Sequence, residues 1–203
     1  MITRRLRSDS GQTLPIYIWL TGILLFAAFA FFAFAQAASA RNGAQSAADA
    51  AALAAAQDSR EELIDGLGLG IGDGDGWLDW LAGKGFTGDG AQVAAEQLAA
   101  DNDSTVLGTV QPTTVNGYPG YKVEIRTQYT VGESIIPGTE TKHANAEATA
   151  VIQPRCEADP DADPKKDVAF HCDGGEDFEI DPGDFTPEDL PDASVLFSVH
   201  LAD

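Results

Sequence analysis

From Ser10 to Ala40 the chain carries no Asp, Glu, Lys, Arg or His, and the middle of that stretch reads LLFAAFAFFAFA. About 20 such residues are enough for a helix to cross the hydrocarbon of a bilayer, so the stretch predicts a transmembrane helix over 14–40. Arg4, Arg5 and Arg7 precede it and no comparable basic cluster follows. The positive-inside rule therefore predicts a cytoplasmic leader over 1–13 and an extracytoplasmic chain from Arg41 onward. Tyr17 and Trp19 stand where an interfacial aromatic anchor belongs, and Pro15 falls near the start of the span, where a missing backbone donor does little harm. The competing reading is a cleaved secretory signal, since Ala38-Ser39-Ala40 is a small-residue, cleavage-like triplet. A signal's apolar core runs to about 7–15 residues, and this one is well beyond that, so the helix is read as retained.

Charge separates the two sides. Three arginines against Asp9 give residues 1–40 a net of +2, so of the total of −20 the remaining 163 residues carry −22. A surface that acidic repels phosphate backbones and anionic lipid heads, which argues against a nucleic-acid partner and against lying flat on a membrane, and leaves cations or basic partners as plausible guests. Solubility alone is a sufficient reason for the charge.

Past the membrane, ARNGAQSAADAAALAAAQDSREELIDGL is dominated by strong helix formers, with Gly43 a weak interruption, and predicts a helix over 41–67 continuous with the span. Ala40, Ala44 and Ala48, and beside them Ala47, Ala51 and Ala55, recur at spacings of three and four. Such a face lets another backbone approach closely, and alanine's high helix propensity accounts for it equally well. The glycine-rich run GLGLGIGDGDG then predicts a connector over 68–90 without regular structure. A short apolar element at Trp77, Leu78, Trp80 and Leu81 and a short helix from Ala91 to about Ala100 follow.

Residues 91–203 read as an α+β ectodomain. Tyr121, Val123, Ile125, Thr127, Tyr129 and Val131 alternate with polar residues, as do Ala144, Ala146, Ala148, Ala150 and Ile152, which predicts an antiparallel pair. Asn116-Gly117 and Pro119-Gly120 mark the turn before the first run, and Pro137-Gly138 the turn between the two. Thr105–Val110 and Val195–Leu201 are expected as further strands. The acidic, proline-rich segment 154–192 is expected to be mostly irregular. The fold class is thus α+β: a transmembrane helix running on into a long Ala-rich helix, then a small antiparallel sheet with an irregular acidic C-terminal region.

Chemistry-bearing residues are few. Cys156 and Cys172 flank the acidic loop on the oxidising side and predict a disulfide, worth about 3 kcal/mol for a loop of that size. A metal site from Cys156, His171 and Cys172 lacks paired C-x-x-C spacing, and a Cys nucleophile beside His171 has no third group. The runs holding Asp73, Asp75 and Asp79, and Asp159, Asp161 and Asp163, invite calcium but miss the EF-hand template: Trp77 stands where Asp or Asn is needed and Leu78 where Gly is. His143 and His200 are isolated in strand patterns and expected on a solvent face. No nucleophile elbow, zinc-helix motif or phosphate-cradling loop occurs, and GLGLGIG follows a helix rather than a strand, unlike a dinucleotide fingerprint. No catalytic, metal or cofactor site and no small-molecule substrate is expected.

The order of basic leader, Gly11-Gln12, apolar helix and then Arg41-Asn42-Gly43-Ala44-Gln45-Ser46-Ala47-Ala48-Asp49-Ala50-Ala51-Ala52-Leu53-Ala54-Ala55-Ala56 resembles the N-terminal region of the TadE/TadG-like proteins of tight-adherence (Flp-type) pilus assembly. The resemblance covers about residues 10–57. It implies a pilin-like architecture and a non-enzymatic, membrane-anchored pilus-assembly or secretion component with an exposed acidic head, whose partners are the bilayer and other membrane proteins of the apparatus. Arg41, Gln45, Ala47, Ala48, Asp49, Ala51, Leu53 and Ala55 become the motif and helix-packing positions. Cleavage after Gly11 would place Ile16 fifth, where type IV pilins usually carry Glu, so the uncleaved TadG-like form fits better. Gly11 and Ala40 stand as the two candidate processing sites. From a different class, the −22 outside the membrane also suits an anchored binding module for a basic peptide or a cation.

Overall fold

The computed structural model describes residues 13–71, 76–132, 138 and 140–202. Arg4, Arg5, Arg7, Asp9, Gly11, Asp73, Asp75 and Pro137 lie outside the described residues.

A single helix, α1 (Thr13–Gly70), runs for 58 residues, about 87 Å at 1.5 Å per residue. Pro15 sits in its first turn, where it removes no intrahelical bond. Gly43 does not break it, and it runs on into the glycine-rich stretch as far as Gly70. At Gly43 the Tyr129 hydroxyl lies where a Cβ would stand, and the Trp80 ring covers Gly66 in the same way. Glycine there permits close tertiary approach, and that packing outweighs its poor helix propensity. The helix therefore ends a turn later than expected, and Gly68 and Gly70 are helical.

Two short helices, α2 (Trp77–Leu81) and α3 (Ala91–Asp101), lead into the sheet. Five antiparallel strands form it: β1 (Ser104–Val106), β2 (Gln111–Val115), β3 (Tyr118–Thr130), β4 (His143–Pro154) and, after a second sheet, β8 (Phe197–Leu201). The path runs β1-β3-β4-β8, with β2 also paired to β3. Asn116 and Gly117 both have positive φ, 53° and 89°, and close the β2–β3 hairpin as a two-residue turn of the kind that matches strand twist. Pro119-Gly120 is not a turn but lies inside β3, where Gly120 sits so close to the Ala150 carbonyl that no side chain fits. The strand expected over Thr105–Val110 is split. Gly108, at φ 73°, turns the chain after β1, and β2 begins at Gln111. Likewise the last strand starts at Phe197, because Asp192 accepts from the Ser194 amide (2.8 Å) and caps a helical turn, α4 (Ala193–Leu196).

The segment expected to be irregular contains a second antiparallel sheet: β5 (Cys156–Ala158), β6 (Val168–Cys172) and β7 (Glu176–Ile180). Val168, Phe170 and Cys172 point inward while Ala169 and His171 point out, and Phe170 stacks on Phe178 at 5.6 Å between centroids. Its few apolar residues have period two, but they are too sparse among the acids to stand out.

The core lies between α1 and the first sheet. Tyr121, Val123 and Ile125 of β3 and Ala148, Ala150 and Ile152 of β4 face Ala44, Ala47, Ala48, Ala51, Ala52, Ala55 and Ala56 of α1. Against the same helix, α3 lays Ala91, Ala95 and Ala99. Alanine on both helices allows a short interaxial distance, toward the low end of the 8–10 Å range.

Candidate functional site: one helix in two surroundings

Between Leu14 and Phe34, α1 exposes its bulky residues on every side: Leu14, Ile16, Tyr17, Ile18, Trp19, Leu20, Ile23, Leu24, Leu25, Phe26, Phe29, Phe31, Phe32 and Phe34. These 21 positions span about 31 Å, the thickness of a bilayer's hydrocarbon core. Such a surface is untenable in water and ordinary in lipid. Among the described residues α1 is the one helix long and apolar enough to cross a membrane.

Beyond Ala40 the same helix changes character. The motif positions Ala47, Ala48, Ala51 and Ala55 are fully buried, and Ala40 nearly so. Their cover is this chain's own sheet and α3, so the small-residue face serves intramolecular packing. The remaining motif positions lie on the helix's other sides. Arg41 and Gln45 are exposed, while Asp49 and Leu53 are half-buried. Gln45 joins helix to sheet, donating to Asp49 Oδ1 (2.8 Å) and to the Glu147 carbonyl (3.2 Å).

Further out, a set of residues not anticipated from sequence ties α1 to the head. The Ser59 and Tyr121 hydroxyls share a buried hydrogen bond of 2.7 Å. Glu62 accepts from the Thr87 amide (2.7 Å), the Thr87 hydroxyl (2.9 Å) and the Gly88 amide (2.9 Å), stapling the 82–90 loop to the helix. Burial pushes the Glu62 carboxyl up, but those three donors outweigh it and hold it below the ordinary glutamate value. Asp58 goes the other way: burial first, then the Glu61 and Glu62 charges, raise it. Burial also raises Tyr121, against the bond from Ser59. A polar residue one turn after an alanine run, level with a Thr-Gly loop, is the only sequence signal these contacts left.

Cys156 and Cys172 stand opposite each other on β5 and β6 and form a disulfide, Cα to Cα 3.9 Å. His171 is exposed and bonds Asp177 Oδ1 (2.6 Å) across to β7. His143 Nδ1 approaches the Thr127 carbonyl at 2.8 Å, and His200 is exposed. Asp159 and Asp163 accept from the amides two residues on, of Asp161 and Lys165, and Asp163 also pairs with Lys166 (3.1 Å). Among the described residues no group of three or more His, Cys, Asp or Glu could hold a metal ion. An open crevice of about 640 Å³ lies between the α2 end and the β5 end, with Leu78, Leu81, Tyr118 and Pro160 as its apolar lining and Asp79, Glu157, Asp159 and Lys84 as its charged one.

An α+β head built around the outer half of a membrane-length helix defines a class: a head carried by a single N-terminal apolar helix. Residues 11–58, which take in α1 from Thr13 to just past the alanine face, match the family model described as Tad, putative Flp pilus-assembly TadE/G-like. No curated protein and no solved structure matches the chain.

Proposed function

We propose that the chain is a non-enzymatic, TadG-like component of tight-adherence pilus assembly or secretion, retained in the membrane by α1, with its N-terminus cytoplasmic and its acidic head outside. The observation that carries this reading is the coincidence of the family match over 11–58 with the two surroundings of α1, since the matched stretch takes in both the exposed apolar belt and the alanine face. The arginines at 4, 5 and 7 support the orientation. Because the alanine face is filled by the chain's own sheet and α3, contact with other membrane proteins of the apparatus falls to the Leu14–Phe34 surface and to the head. A deletion strain tests the reading. It should lose pilus assembly and surface attachment, and pilus components should copurify with the tagged protein. Intact pili in the deletion strain, with none of those components recovered, would contradict it.

The crevice between Leu78, Tyr118 and Glu157 favours a second reading, an anchored module that binds a basic peptide. Its apolar floor suits a methylene stem and its carboxylates a cationic head. Calorimetry of the full chain with lysine- and arginine-containing peptides decides it, and flat titrations remove it. A fragment starting at Arg60 would not serve, because it lacks the alanines that build the core.

A further inference from the structure

The exposed apolar belt ends at Phe34, and the head begins to cover α1 almost at once. Gly132, two residues past the end of β3, lies beside the Gln36 side chain, two residues beyond Phe34. Two independent rulers agree on how the strand descends. From Gly43, which sits under the Tyr129 hydroxyl, to Gln36 the helix axis falls about 10 Å, and from Tyr129 to Gly132 an extended chain covers the same about 10 Å. The end of β3 therefore runs down along the helix to a level about 3 Å above Phe34. The bulky residues from Leu14 to Phe34 need the whole hydrocarbon thickness, so the span has no slack to slide outward and lift the head. Above the hydrocarbon, the headgroup layer of one leaflet is roughly 5–7 Å deep.

We infer that the head has no stalk and is seated on the outer leaflet, with the paired chain around Val131 and Lys142 lying within the lipid headgroup layer; this rests on α1 spanning the bilayer. The Val131 amide donates to the Lys142 carbonyl (2.8 Å), which holds the two strands at one level. Lys142 is exposed there and its long stem brings the ammonium to headgroup phosphate, while Arg41, two turns and about 10 Å beyond Phe34 on the helix, sits just outside that layer. Glu140, also exposed, keeps this end from being strongly basic, so the occupant is the headgroup layer of an ordinary phospholipid leaflet, with no requirement for anionic lipid.

The native cysteines are both in the disulfide, so single cysteines can be labelled with a fluorophore on the full chain in phosphatidylcholine nanodiscs. Labels go at Thr141→Cys for the seat, Phe32→Cys for the span and Asp161→Cys for the far end of the head, with Glu140→Cys repeating the first. A nitroxide on the lipid headgroup should quench Thr141→Cys and leave Asp161→Cys bright, and a nitroxide on the acyl chain should quench Phe32→Cys. If Phe32→Cys is quenched from the acyl chain while Thr141→Cys and Glu140→Cys stay as bright as Asp161→Cys, the head stands clear of the membrane and the inference is wrong. If Phe32→Cys is itself unquenched, the spanning reading fails, and the seat with it.

Discussion

The two halves of α1 both present apolar surface and are built from different residues. Up to Phe34 the helix carries leucine, isoleucine and aromatics on all sides, and from Ala40 to Ala56 it carries alanine on one face and polar residues on the other. Lipid accepts bulk in any direction because it is fluid, whereas a sheet and a helix pressed onto α1 leave room only for a methyl group. Hydrophobicity alone therefore does not say which solvent a helix faces. Side-chain volume and the period of the pattern do.

The comparison breaks most readily through charge in the lipid half. Phe26→Arg should weaken membrane insertion by about 3 kcal/mol, measured as the fraction of chain recovered in the membrane, while the head's unfolding stays unchanged. Of similar size and confined to the head, replacing Cys156 and Cys172 together by serine should cost about 3 kcal/mol, seen as lost hydrogen-exchange protection in β5–β7 with insertion unaffected. The sharpest contrast is a pair of identical changes. Ala48→Leu forces bulk into the core and should lower thermal stability in detergent by roughly 1–3 kcal/mol, whereas Ala28→Leu, exposed on the lipid half, should lower nothing. Tyr121→Phe leaves the buried Ser59 hydroxyl without its partner and should cost about 1 kcal/mol in the same assay.

The smallest expected effect is pH dependence at the helix–loop staple. Glu62 is held below its ordinary value in the fold, so what it contributes is present above the ordinary glutamate range and lost as pH falls through the lowered value. Asp58 is raised, so its ionised form is disfavoured in the fold and protonation on the way down restores a little stability first. The Thr87 and Gly88 amide resonances should thus hold their positions until the pH is below the ordinary glutamate range and only then shift. In Glu62→Gln they should show no such acid shift.

Much of this was legible in the sequence because the signals are long. The uncharged stretch from Ser10 to Ala40, an alanine face at spacings of three and four, and two alternating runs each repeat one message many times, and α1, β3 and β4 follow from them. The family resemblance of Arg41–Ala56 was legible too, and the match over 11–58 agrees with it. What escaped depended on a single distant contact. Trp80 over Gly66 goes with a helix that continues to Gly70, Gly120 against the Ala150 carbonyl turns an apparent Pro-Gly turn into strand, and Phe170 on Phe178 organises an acidic segment with few apolar residues. The occupant of the alanine face was equally invisible: spacing shows that a backbone comes close, but not that β3, β4 and α3 of the same chain supply it.

The central claim is that α1 is one helix passing without interruption from lipid into the core of its own head. A cysteine scan of the full chain in bilayers, from Leu20 to Gln57 with a water-soluble maleimide, tests it directly. The account predicts no labelling on any side through Phe34, then a pattern of three and four in which Asn42, Gln45, Ser46 and Gln57 react while Ala44, Ala48, Ala51 and Ala55 do not. Protection on all sides continuing past Ala40, or a three-and-four pattern already present between Leu20 and Phe34, would contradict it.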